Sequence, residues 1–243
     1  MNVLSIGNSF SQDATHYLHQ IARADGINLK SINLFIGGCS FERHYRNMLT
    51  GERAYSLECN GHATGFSVSL SEALASNEWD VVTVQQVSHL SFISETYFPY
   101  ATSLVEYVHR FAPKAKVYMH RTWAYEDGGA KLAGLGRFES SREMHDMIVS
   151  ENTAAAKDLA LDGIIPAGNI FASFNDAGVT GLYRDGFHAS LGLGRYALGL
   201  VWYRALTGMS VKNNSFCDLD IPTEPTLIEK AKEYADSLGL ISI

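Results

Sequence analysis

Short apolar runs alternate with stretches of helical spacing along most of this chain, and that alternation limits the fold more than any other feature. Residues 3–6 (VLSI), 29–36, 80–85 (DVVTVQ), 115–120 (AKVYMH) and 163–166 (GIIP) read as short buried strands. Between and after them, residues 13–24, 41–49, 97–111, 138–161, 191–207 and 227–238 space their apolar side chains as helices do. Strands separated by helices need crossover connections, and crossovers give a parallel sheet covered by helices on both faces. The expected fold is α/β, one domain over residues 1–243 with a mainly parallel, five-stranded sheet. Residues 55–66 stand outside the alternation, because Asn60-Gly61 at their centre is a hairpin signal.

The length of 243 residues suits one α/β domain of this kind, and 46% apolar with 19% charged residues is the composition of an ordinary globular chain. A net charge of −7, with no basic run interleaved with aromatics, argues against a nucleic-acid partner. No apolar stretch approaches the roughly 18 residues needed to span a bilayer. The first strand begins at residue 2 without a basic segment or cleavage site before it, so the expected location is cytoplasmic, or periplasmic or secreted if a leader preceded residue 1. Cys39, Cys59 and Cys217 are odd in number and widely spaced, and none of the nine histidines forms an HExxH pair. No disulfide framework, metal or cofactor is expected.

The sequence Gly7-Asn8-Ser9-Phe10 ends the first strand and raises two readings of Ser9. Ser9 to Gln12 fits a capping box, and Ser11 could cap as well. The other reading is a nucleophile. A serine hydroxyl is weak at neutral pH, so it needs a base within hydrogen-bond reach and a third group to hold that base. Asp185-Gly186-Phe187-His188 supplies an acid and an imidazole three residues apart in one glycine-containing loop before a helix. Ligands of open parallel sheets bind beyond the carboxyl ends of the strands, where Ser9, Gly38, Gln86 and Trp123 all fall.

With these residues in view, the chain resembles the SGNH, or GDSL, hydrolase superfamily. The strand-GDS opening of that family is similar to Gly7-Asn8-Ser9, with Asn8 in place of the usual Asp, and its closing DxxH matches Asp185 to His188. Its glycine after the second strand is matched by Gly38-Cys39-Ser40. The third block departs: where typical members have GxND, this chain has Gln85-Gln86-Val87-Ser88-His89, closer to the glutamine-bearing form of sialate and xylan O-acetylesterase-like branches. The set GNSF, GGCS, QQVSH and DGFH resembles a bacterial branch similar to carbohydrate O-acetylesterases.

The resemblance implies a flavodoxin-like, three-layer α/β/α sandwich and a serine esterase without cofactor. Ser9 would be the nucleophile, His188 the base and Asp185 its orienting acid. The oxyanion would be held by the N–H groups of Ser9 and Gly38 with the side chain of Gln86, or with Ser88 in its place. The implied substrate is a small acyl ester, acetyl on a carbohydrate, with no nucleic-acid or membrane partner. An acyltransferase on the same triad and a catalytically silent carbohydrate-binding protein are the alternatives. Trp123 and Tyr125 read either as a sugar-stacking wall or as lids over the core. His44 and His89 read either as substrate contacts or as satisfied surface histidines, and Cys39 as a small buried hydrophobe.

Overall fold

From Val3 to Gly7 every residue of the first strand, β1 (Asn2–Gly7), is buried, as a strand covered on both faces requires. In the computed structural model, which describes residues 1–243, β1 has a parallel partner on each side. It pairs with β2 (Lys30–Phe35) from Asn2↔Lys30 to Gly7↔Phe35, and with β5 (Val81–Val84) from Val3↔Val81 to Ile6↔Val84. β6 (Lys116–His120) and β7 (Gly163–Ile165) continue the parallel run. These five strands are those that the apolar pattern predicts.

The sheet has seven strands rather than the expected five, in the order β4-β3-β2-β1-β5-β6-β7. The additional pair is β3 (Tyr55–Cys59) and β4 (His62–Val68), both antiparallel, with Ile32↔Cys59 joining them to β2. Asn60 and Gly61 both take positive φ, 53° and 86°, the backbone of a two-residue hairpin turn. Such a turn returns the chain at once and leaves no room for a crossover, so the pair extends the sheet antiparallel.

Alternate residues of the strands feed two cores. Val3, Val81 and Ile165 pack beneath α1 (Ser9–Thr15), α2 (Leu18–Ala24), α8 (Ala167–Asp176), α9 (Leu193–Thr207) and α10 (Pro225–Asp236). Leu4, Ile6, Val82, Val84, Val117 and Met119 pack beneath α3 (Phe41–Thr50), α4 (Leu70–Ala75) and α5 (Tyr100–Phe111). The long α7 (Ser141–Asp158) contributes Met144 and Ile148 to the first core and Ala155 and Ala156 to the second, and the short α6 (Ala130–Ala133) precedes it. The result is the α/β/α sandwich. No helix is long and apolar enough to cross a membrane.

Two differences from the pattern bear on the site. The helix read over 13–24 begins instead at Ser9 and breaks between Thr15 and Leu18, where the Tyr17 hydroxyl donates to Leu191 O far along the chain. The chain runs from β1 to β2 on one side of β1 and later takes β5 on the other. That reversal opens a crevice beyond Gly7, Phe35 and Val84, the last residues of the three strands.

Candidate active site

Gly7 ends β1 under a close-packing constraint, since a Cβ there would lie 2.2 Å from Ser11 Oγ and 2.9 Å from Gln85 Oε1. The next residue, Asn8, is the N-cap of α1, which corrects the expectation that Ser9 or Ser11 stands at the N-cap. Asn8 Oδ1 accepts from Phe10 N at 3.0 Å, while Ser11 Oγ accepts from Asn8 N at 3.1 Å, a reciprocal box one residue earlier than the sequence pattern placed it. Ser9 is therefore the first helical residue. Its hydroxyl takes no part in the cap, and its backbone N–H has no acceptor within the helix.

Ser9 Oγ lies 2.8 Å from His188 Nε2, and His188 Nδ1 lies 2.7 Å from Asp185 Oδ2. With Asp185 ionised, Nδ1 carries the proton and donates it to the carboxylate, which leaves Nε2 free to accept from the serine hydroxyl. Asp185 Oδ1 accepts from His188 N at 2.8 Å and from Phe187 N at 3.4 Å, so the loop's own backbone fixes the carboxylate. Partial burial pushes the Asp185 carboxyl up, but the hydrogen bonds from the His188 ring and backbone outweigh it and hold the group below the usual carboxylate range. The structure thus brings together three residues that stand 9, 185 and 188 in the chain.

The expected oxyanion donors divide. Gly38 turns the chain after β2 at φ 61°, and its N–H makes no hydrogen bond with the protein. Gln86 is a correction. Its Nε2 donates to Thr96 O at 2.9 Å and Thr96 Oγ1 at 3.1 Å, and its Oε1 accepts from Phe41 N and Val87 N. With both amide protons committed and the residue buried, Gln86 presents no donor to a ligand and instead ties the loop after β5 to the start of α3. Ser88, the alternative, is also buried, and its Oγ pairs with the Tyr125 hydroxyl at 2.9 Å.

Beneath the serine runs a polar chain that the sequence pattern missed. Asn8 Nδ2 donates to Cys39 O at 3.1 Å, Gln85 Nε2 donates to Asn8 Oδ1 at 2.8 Å, and His120 Nδ1 donates to Gln85 Oε1 at 2.8 Å. Burial pushes the His120 imidazole down to about 3, so the ring is neutral. A second chain runs from Ser11 Oγ to Asn33 Oδ1 and from Asn33 Nδ2 to Glu58 Oε2, with Gln12 also donating to Glu58. The added β3–β4 hairpin thereby supports α1.

The first chain explains why position 8 carries an amide rather than the carboxylate of the usual block. Only an amide can donate to Cys39 O while accepting from Phe10 and Gln85. Asn8→Asp should set a carboxylate oxygen against the Cys39 carbonyl and lower stability by about 1–3 kcal/mol, read by denaturant unfolding. A variant as stable as the parent would show that this bond does not hold the 37–40 loop.

The structure places each of the remaining candidates. Trp123 is fully buried, stacked between Phe10 at 4.1 Å and Phe171 at 5.1 Å between ring centroids. It is no sugar-stacking wall; its Nε1 donates to Phe187 O at 2.7 Å and braces the His188 loop from behind. Tyr125 is buried too, with its ring edge on Phe187. His44 is fully buried and cannot contact substrate: its Nδ1 faces Tyr55 Oη at 2.9 Å, and burial pushes its ring down to about 3. His89 is exposed on the turn after β5. Cys39 is fully buried, and burial, against the pull of Arg43, pushes its thiol up to about 12, far from a thiolate nucleophile. The half-buried Phe187, which the pattern did not single out, lays its ring 3.8 Å from that of His188, with Lys131 Nζ 4.8 Å above it. No group of three or more His, Cys, Asp or Glu side chains is arranged to hold a metal ion.

A doubly wound sheet with a serine just past its central strand and an Asp-x-x-His loop brought against it is the α/β fold of the SGNH hydrolases. The chain belongs to the DUF4886 family, a domain of unknown function whose profile matches residues 2–235. Among solved structures it is similar to a DUF4886 family protein from Bacteroides uniformis, at 33% identity and a TM-score of 0.89 over 98% of this chain and 93% of that one. It is similar also to a candidate SGNH hydrolase from Slackia heliotrinireducens, at 25% identity and a TM-score of 0.60 over 84% and 97% of the two chains. Its fold is shared by an acetylxylan esterase from Geobacillus stearothermophilus, solved as a catalytic mutant, at 12% identity and a TM-score of 0.55 over 84% and 90%. No curated protein matches the sequence.

Proposed function

We infer that this protein is a serine esterase that cleaves small acyl esters, with O-acetyl groups on carbohydrate as the substrate class. The observation that carries the reading is the unbroken hydrogen-bonded chain from Ser9 Oγ through the His188 ring to Asp185, at 2.8 and 2.7 Å. Ser9 Oγ attacks the acyl carbon as its proton passes to His188 Nε2. The carbonyl oxygen becomes an oxyanion, held by the free N–H groups of Ser9 and Gly38; losing one such donor typically costs about 100- to 1000-fold in rate. Collapse expels the alcohol, which takes the proton back from His188 and leaves an acyl-serine. Water then attacks the acyl carbon, gives a proton to His188, and the released carboxylic acid leaves Ser9 protonated again.

The acetyl and carbohydrate parts of the reading rest on the resemblance to O-acetylesterases and on the acetylxylan esterase that shares the fold. The test is a series of p-nitrophenyl esters and an acetylated xylooligosaccharide. Turnover of the acetate should exceed that of the octanoate by at least roughly tenfold, since each buried methylene discriminates by about 1–3 kcal/mol where a pocket does not fit it. Acetate should also be released from the oligosaccharide. Preference for the long chain would replace the acetylesterase reading with a lipase-like one, and absence of any Ser9-dependent hydrolysis would end the esterase reading itself.

A further inference from the structure

The geometry points to Asp13 as the residue that sets the distance between Ser9 and His188. Together with Arg184 and Arg195 it clamps the His188 loop onto the helix that carries the nucleophile. The inference rests on the esterase reading above. Asp13 follows Ser9 by four residues on α1 and so lies one turn below it on the same face. Its carboxylate is fully buried and is bonded only by groups from the loop and from α9. Oδ1 accepts from Arg184 Nη1 at 2.9 Å and from Arg195 Nε at 2.9 Å; Oδ2 accepts from Arg184 Nη1 at 2.9 Å and from Ala189 N at 3.1 Å.

The placement of those donors is the point. Arg184 immediately precedes Asp185, and Ala189 immediately follows His188, so one carboxylate grips both ends of the loop whose middle carries the base and its orienting acid. The loop is closed at the same level by Arg184 N donating to His188 O at 3.1 Å, by the bridge between Tyr183 and Ala189, and by Arg184 donating to Ala189 O. Arg195 ties the assembly to α9. An apolar side chain at position 13 could fill the same space against α9, but it would not fix the loop in direction. Charge-assisted hydrogen bonds are short and directional, and they do. Removing one partner of such a buried set leaves an uncompensated charge, so the three residues act as a unit.

Asp13, Arg184 and Arg195 touch none of the reacting atoms; they are positioning residues. Proton transfer from Ser9 to His188 depends on a 2.8 Å contact between two elements far apart in sequence, and a misplacement of about 1 Å costs on the order of 100-fold. The internal His188–Asp185 bond belongs to the loop alone and should survive loss of the clamp.

The test is Asp13→Asn, which keeps the volume but turns one acceptor into a donor facing other donors. A second variant, Arg184→Met, alters a partly exposed side chain and guards against failure to fold. For both, kcat on p-nitrophenyl acetate should fall roughly 10- to 100-fold with KM little changed, because the loss is in alignment and not in binding. The acid limb of the kcat profile should stay where the parent has it, since Asp185 still holds the ring. Added guanidinium should restore part of the activity of Arg184→Met.

The nitrogen-15 shift of His188 Nε2 reads the clamp independently of turnover. It should differ between the parent and Ser9→Ala because of the lost hydrogen bond, and Asp13→Asn should take the Ser9→Ala value. If the parent shows no Ser9-dependent hydrolysis, the esterase reading fails and the ring shift alone decides the clamp. Folded variants with parental kcat and a parental ring shift would overturn it. So would a loss of activity that tracks only the unfolded fraction.

Discussion

Ser9→Ala should lose at least roughly a thousandfold in turnover of p-nitrophenyl acetate while folding as the parent does. The size of the loss follows from chemistry: without Oγ there is no acyl-serine, and only the oxyanion donors and the bound geometry remain to accelerate attack by water. Unimpaired folding follows from the cap. Asn8 and Ser11 close the N-terminus of α1 between them, so removing the Ser9 hydroxyl breaks no cap and should change stability by no more than about 0.5 kcal/mol. A Ser9 that was itself the cap would instead give about 1 kcal/mol of destabilisation with activity intact. Kinetics and denaturant unfolding on the same variant separate the two cases. Intact protein mass adds a third readout, since a fluorophosphonate should add to the parent and not to Ser9→Ala.

Asp185→Asn should cut kcat by about ten-thousandfold without unfolding the protein. Asp185 serves three donors at once, the His188 ring through Oδ2 and two loop N–H groups through Oδ1. An asparagine has one acceptor oxygen. If that oxygen keeps the backbone bonds, its NH2 faces His188 Nδ1, which must then be the bare nitrogen; the ring proton moves to Nε2, and Nε2 can no longer accept from Ser9. Activity within tenfold of the parent would remove Asp185 from the mechanism.

The pH dependence has a definite sign. Because the native Asp185 carboxyl is held below its ordinary value, its charge is fully present above the unfolded-chain value and is lost only as pH falls through the depressed native one. Any fall in activity above that range should therefore not come from loss of the Asp185 charge. An acid limb that moves when Asp185 is replaced, but not when Asp13 is, would separate the orienting acid from the clamp.

The alternation of apolar runs with helical spacing determined the five parallel strands, and with them a crevice at the carboxyl ends where Ser9 and Gly38 lie. Asn60-Gly61 marked the hairpin, because a turn that needs two left-handed residues is written in two letters. Asp185 and His188 were legible as a pair because their contact spans three residues of one loop. All of these are short-range facts, fixed by backbone geometry and side-chain period.

The tertiary structure decided which polar atoms were already taken. Gln86 and Ser88 carry the right groups for an oxyanion donor, yet one meets Thr96 and Phe41 and the other Tyr125. Trp123 has the composition of a sugar platform, but Phe10 and Phe171 enclose it from segments more than a hundred and nearly fifty residues away. Asn8 reads only as a replacement for the usual Asp until Cys39 and Gln85 are placed around it. Asp13 passes as an ordinary acidic residue on an amphipathic helix until Arg184 and Arg195 arrive from the far end of the chain. A buried donor or acceptor must find a partner, and no local pattern says which one, because that choice is made by contacts that exist only after the sheet has brought distant segments together.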